Sequence, residues 1–130
     1  MDNIIEVLLI TGGGYPEYTV ETWSPADGAS CSLPNMTRPR SDHTISGGLV
    51  CGDYGPANRS CEVWRAETGQ WEEVVTNLTD ERNGHVSWTD SEGTTFLLGG
   101  MAPGTYTSVE TISKEYTVTP ASFSLKQKRA

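Results

Sequence analysis

Three cysteines, two histidines and a run of three glycines are the residues of this 130-residue chain whose types could do chemistry. Cys51 and Cys61 flank a connection rich in Gly, Pro and Asn and border two short apolar segments. In an antiparallel hairpin they can sit opposite each other at disulfide spacing, so a Cys51–Cys61 bridge is expected. The competing reading is two small buried apolar side chains. Cys31 is then odd, with any partner outside this segment. No C-x-x-C spacing occurs, and only His43 and His85 could complete a zinc set, so no metal site is assigned.

His43 and His85 each stand three residues after an arginine, Arg40 and Arg82. That recurrence suits a structural hydrogen bond at a connection better than acid–base chemistry. The adjacent acids Glu72–Glu73 and Asp80–Glu81 point to opposite faces of a strand and read as solvated. Ser-His-Asp residue types are present without a nucleophile motif such as G-x-S-x-G. The glycines in "TGGGYPEYTVETW" could cradle a phosphate only if a helix followed them. Instead a proline and alternating strand residues follow, Glu17 breaks G-x-G-x-x-G, and no Lys-Ser/Thr is present. They are expected to connect two strands. No catalytic or cofactor-binding residue is assigned, and no cofactor is expected.

The elements that must position these residues are strands. Apolar runs are short and rich in β-branched and aromatic residues, as in "EVLLIT", "CEVWRA", "QWEEVV" and "TTFLLG". Seven prolines and 14 glycines punctuate them, and no apolar pattern of helical period lasts three turns. The chain is therefore read as all-β. The formal charge of -8 disfavours nucleic acid, which needs clustered Lys and Arg. The basic cluster Lys126, Lys128 and Arg129 sits in a tail at 126–130 and reads as solvated. No stretch approaches the ~20 apolar residues of a membrane helix, so no membrane role is expected. The run Ile4–Ile10 contains Glu6 and lacks a basic flank, which makes it a poor signal peptide.

Three landmarks repeat on one period. "LLITGGG" recurs as "GGLVCGDYG" and "TFLLGGMAPG", stepping 40 and 47 residues from Gly12 to Gly52 to Gly99. "VETW" at Val20 recurs as "CEVW" at Cys61 and "VETI" at Val109, with steps of 41 and 48. "MTRPRSDH" from Met36 recurs as "LTDERNGH" from Leu78, 42 residues on. Each unit reads as four strands: one after the Arg-x-x-His element, one ending at the glycine pair, one at "VETW" and one after a short turn. Such a unit cannot bury both faces alone and must stack on its neighbours.

The glycine pair after an apolar strand, the later aromatic and the Trp near the fourth strand resemble the kelch-repeat family. The second unit carries the pattern best, with "LVCGD" and then "CEVWRAETGQW" holding Trp64 and Trp71. The first lacks the later Trp, the third has Ile112 where Trp would stand, and Asp53 replaces a glycine. "CSLPNM", "GGLVCG" and "GHVSWT" are further similar to divergent kelch repeats of animal extracellular proteins. The resemblance implies a partial β-propeller of about three four-stranded antiparallel blades within residues 4–125: about 4–34, 35–76 and 77–125. Trp23, Trp64, Trp71 and Trp88 are then expected to pack between blades.

Propellers generally close with ~4–8 blades. The expectation is therefore a fragment of a larger propeller, or a homodimer completing a six-bladed ring. The expected function is a non-catalytic protein-binding scaffold working through blade-connecting loops on one rim. Tyr15, Tyr18, Tyr54 and Tyr106 concentrate in those loops. The alternative is a fragment of a kelch-type propeller enzyme such as a copper oxidase. Asn35, Asn58 and Asn77 lie in N-x-S/T sequons within predicted connections. With the possible disulfide they favour a secreted, extracellular parent, the alternative being cytoplasmic.

Overall fold

The computed structural model of the chain describes residues 8–12, 18–101 and 107–121. These form three antiparallel sheets with no helix among them. The first sheet orders β1 (Leu8–Thr11), β2 (Val20–Trp23) and β3 (Ser30–Leu33) side by side. The second orders β4 (Thr44–Ser46), β5 (Leu49–Cys51), β6 (Cys61–Arg65) and β7 (Gln70–Glu73). The third contains β8 (Val86–Thr89), β9 (Thr95–Leu98), β10 (Val109–Ile112) and β11 (Val118–Ala121), again in sequence order.

Local chemistry accounts for this meander. β4 and β5 are joined by Gly47 and Gly48, with φ of 56° and 77°. A two-residue hairpin whose twist matches its strands needs both central residues in this region, which glycine enters without a Cβ penalty. Pro120 lies in β11, an edge strand, where its missing N–H interrupts no ladder.

Alternation along the strands decides what is buried. In β5, Leu49 and Cys51 point to one face and Val50 to the other, yet all three are buried. The second sheet is therefore covered on both sides. Toward the first sheet lies a core of Val20, Met36, Val50 and Trp71, with Leu9, Leu33, Ile45 and Trp64 packed against it. Toward the third lies a core containing Leu49, Cys51, Cys61, Val63, Leu78, Leu97 and Ile112. Each fully buried aliphatic side chain contributes about 1.5–3 kcal/mol.

Trp64 and Trp71 pair across β6 and β7 with ring centroids 5.6 Å apart, and Trp71 Nε1 donates to the Pro34 carbonyl at 2.9 Å. Trp23 and Trp88 depart from the packing expectation, being 38% and 59% exposed. Their register puts them on the outward faces of the first and third sheets. Trp23 lies beside Leu8, and Trp88 stacks on Phe96.

Candidate functional site

Two connections bind the sheets into one frame. Residues 36–43 lead from the first sheet to the second, and residues 78–85 from the second to the third. Each begins with a buried apolar anchor, Met36 or Leu78, and carries a fully buried arginine four residues later, Arg40 or Arg82.

Arg40 Nε and Nη2 donate to Glu62 Oε2 at 3.2 and 3.0 Å. Its remaining donors reach the Gly52 carbonyl (3.1 Å), the Ser60 carbonyl (2.9 Å) and Ser60 Oγ (2.9 Å). Arg82 repeats the set on Glu110 Oε2 at 2.9 and 2.8 Å, with the Gly99 and Ser108 carbonyls and Ser108 Oγ. Each buried glutamate also accepts a backbone N–H from the connection, from Thr37 at 2.7 Å and Thr79 at 2.9 Å. Every charge is thus paired and hydrogen-bonded, the condition under which buried ions are tolerated. Burial lowers the Arg40 pKa from its ordinary value, while the Glu62 carboxylate pulls the other way.

Each connection ends with its histidine. His43 Nε2 lies 2.8 Å from Thr11 Oγ1 and 3.0 Å from the Thr11 carbonyl oxygen. A carbonyl only accepts, so Nε2 carries the proton and Nδ1 a lone pair. His85 Nε2 makes the equivalent 2.7 Å contact with Thr44 Oγ1. Both Nδ1 atoms are buried without a partner among the described residues. Burial lowers the His43 pKa, with the Thr11 hydrogen bond opposing. Burial, reinforced by the Arg82 charge, pushes His85 down to about 4. Both imidazoles are neutral at pH 7.

The landmark glycines make room for these rings. A Cβ on Gly12 would lie 2.6 Å from both His43 Cε1 and the Arg40 carbonyl oxygen. One on Gly52 would lie 2.6 Å from His85 Cε1 and collide with the Arg82 carbonyl oxygen. Their φ values, 57° and 83°, also fall where only glycine is relaxed.

On this frame stands the loop of residues 52–60. Asp53 is buried and its Oδ1 accepts from Ser41 N–H at 2.8 Å. The Asp53 N–H donates to the Arg82 carbonyl and the Tyr54 N–H to the Ser41 carbonyl. One loop is thereby tied to both connections. Arg82 N–H donates to the Asn58 carbonyl, Met101 N–H to Asn83 and Met36 N–H to Tyr18. The segments at 18–19, 52–60 and 99–101 are hence joined in series by hydrogen bonds into a single band.

From that band Tyr54 projects, 74% exposed, and Tyr18 is 42% exposed. Met101 is also largely exposed. Tyr15 and Tyr106 lie outside the described residues. Cys51 and Cys61 are bonded, facing each other across β5 and β6 with Cα atoms 4.2 Å apart. Cys31 is a free, exposed thiol on β3. Asn35 and Asn77 are exposed and Asn58 half-buried, each in a connection between strands.

The arginine–glutamate clamps were not assigned from the sequence. Their signal was present: a glutamate second in each of "VETW", "CEVW" and "VETI", on the same period as the arginines.

No protein-family model matches the chain, and a search of curated proteins finds no match. Among solved structures it is similar to a novel fungal alcohol oxidase of the AA5 family in complex with copper. The TM-score is 0.62 at 19% identity, over 87% of this chain and 27% of the oxidase. At that identity the likeness concerns the fold alone, and the chain spans about a quarter of the oxidase. Among the described residues no three His, Cys, Asp or Glu side chains converge as metal ligands. Two of the three thiols are consumed in the disulfide, and both histidine Nε2 atoms are held by threonines. The described side chains do not fit a copper centre.

Proposed function

We propose that the three sheets are blades of a kelch-type β-propeller, and that the chain is a non-catalytic scaffold binding a protein partner through loops on one rim. The observation that carries this reading is the band around Asp53. It fixes the backbone of residues 52–60 from both sides while leaving Tyr54 in solvent. A rigid loop presenting an aromatic side chain loses little entropy on binding, and Tyr is favoured at interfaces. The exposed Tyr18 extends the same surface. The disulfide and the sequons at Asn35, Asn58 and Asn77 support a secreted parent, in which these asparagines carry glycans.

The test is a selection of displayed peptides on the immobilised protein. Selected peptides should lose at least about tenfold in affinity on Tyr54→Ala. They should be indifferent to Val75→Ala, an exposed apolar residue outside these loops. Binders that ignore Tyr54 refute the assignment. The similarity to the oxidase favours a second reading, a piece of a copper-oxidase-type propeller. Stoichiometric copper in protein purified from copper-supplemented medium, with oxidation of an alcohol, would establish it instead.

A further inference from the structure

The backbone at Asp53 and Tyr54 is bonded on each side to a segment that carries an exposed carboxylate. The Tyr54 N–H donates to the Ser41 carbonyl at 2.9 Å, and Asp42 follows Ser41. The Asp53 N–H donates to the Arg82 carbonyl at 3.0 Å, and Glu81 precedes Arg82. Asp42 and Glu81 are exposed, and among the described residues neither makes an ion pair. Asp42 is held in the left-handed region, at φ of 54°, and its carbonyl accepts the Gly84 N–H at 2.8 Å. Its backbone is therefore fixed by the same band that fixes the loop of Tyr54.

The other charges of the band are engaged. Arg40 and Arg82 are sealed against Glu62 and Glu110. Arg38 pairs with Glu73, and Arg59 Nε donates to the Leu78 carbonyl at 3.1 Å. Asp53 is buried and accepts backbone N–H groups from Ser41 and Ala57. Asp80 lies 3.7 Å from Arg82 Nη2. The charge left uncompensated on either side of Tyr54 is negative. In the sequence, the stretches that match this loop in the repeat, 13–17 and 102–106, add Glu17 and no lysine or arginine. A phosphate or an acidic segment would meet repulsion here, and a cation would meet an aromatic ring and two carboxylates.

We propose that the partner of this surface is a protein segment presenting an arginine, whose guanidinium stacks on the Tyr54 ring and pairs with Asp42 or Glu81. The inference rests on the reading of Tyr54 as a contact residue and names the chemistry that contact takes. A guanidinium can stack through its face while donating through its edge, which an ammonium cannot. The chain contains its own example of the arrangement. Arg65 lies 5.0 Å from the centroid of the Tyr116 ring while its Nε donates to Glu72 at 3.0 Å. The formal charge of -8 adds a long-range attraction that steers a basic segment toward the protein.

Random displayed peptides selected on the immobilised whole chain at about 50 mM salt should share an arginine. Citrulline in its place keeps the shape and removes the charge, and should cost at least about fivefold in affinity by titration calorimetry. Asp42→Asn and Glu81→Gln should together cost about fivefold, and about 500 mM salt should shrink that difference. Tyr54→Phe should keep the affinity and Tyr54→Leu should lose it, because stacking needs the ring. Selection on Glu81→Lys should favour acidic peptides, a change of specificity that loss of fold does not produce. Circular dichroism checks that each variant keeps its sheets. Peptides that need Tyr54 but share no basic residue, or that tolerate loss of both carboxylates, overturn the proposal and leave the Tyr54 surface standing. Peptides that need the carboxylates and ignore Tyr54 overturn the stacking and the Tyr54 surface with it. A selection that yields no binder overturns both.

Discussion

Replacing Arg82 with methionine removes the centre of one clamp. Glu110, buried to 1% exposure, would then keep only backbone donors from Thr79 and Asp80. The Gly99 and Ser108 carbonyls and Ser108 Oγ lose their arginine donors as well. Breaking a buried pair in this way costs about 3–5 kcal/mol, mostly for the stranded charge. A domain of this size has about 5–15 kcal/mol in total, so the loss is a large fraction. Glu110→Met should cost a similar amount, because it strands the guanidinium. Removing both charges together strands no ion; the two carbonyls, one hydroxyl and the Thr79 and Asp80 N–H groups lose these partners, and those that water does not reach cost about 1–3 kcal/mol each. The double variant should therefore be more stable than either single one, with a coupling of at least about 2 kcal/mol. Urea unfolding followed by tryptophan fluorescence, to which the buried Trp71 and half-buried Trp64 contribute, measures all four proteins. An Arg82→Met variant within about 1 kcal/mol of the parent, or singles that simply add, would refute the claim that this pair locks the sheets.

Three further outcomes follow from the same frame. His85 titrates near 6.5 when unfolded and about 4 when folded, so the unfolded chain binds more protons between those values. Its contribution is complete above pH 6.5 and declines as pH falls toward 4, by roughly 3 kcal/mol in total; urea midpoints of the parent and His85→Asn should converge across that window. Gly52→Ala forces a Cβ against the Arg82 carbonyl and His85 at φ of 83° and should cost more than about 2 kcal/mol by thermal unfolding. Gly28→Ala, at φ of 70° with nothing within 4 Å, should cost about 1 kcal/mol and serves as its control. Reducing Cys51–Cys61, 10 residues apart, should lower stability by about 2–3 kcal/mol, and a mass scan after alkylation should find one labelled thiol before reduction and three after it.

What the sequence disclosed is what short-range chemistry controls. Glycines after apolar runs mark strand ends because positive φ is a local demand, whereas the missing Cβ at Gly12 and Gly52 answers a tertiary one, the room taken by His43 and His85. The Cys51–Cys61 pairing follows from hairpin register, which any antiparallel reading of those residues contains. The structural reading of His43 and His85 rests on recurrence alone, and the threonines that receive them are too common to single out. The buried charges were harder. Glu62 and Glu110 alternate with apolar residues, the pattern of a solvated strand face, and only a connection arriving from about 22 or 28 residues earlier in the chain turns that face inward. Trp23 and Trp88 fail for the converse reason: their types predict burial, but what covers a sheet's outer face is not encoded in that sheet.

The clamps also explain how strands of three to five residues form a defined stack. An apolar interface between such short strands tolerates sliding, because burial is non-directional. A guanidinium with donors in a fixed plane does not slide. In the second sheet, Arg40 meets a carboxylate on β6 and carbonyls at the ends of β5 and β6 at once, and moving the connection by one residue breaks all of these contacts. A methionine of equal reach would fill the space and satisfy none of those carbonyls. The ion pair therefore acts as a register device more than as a source of net stability. With the register held beneath it, the loop carrying Tyr54 can change its exposed side chains without disturbing the sheets.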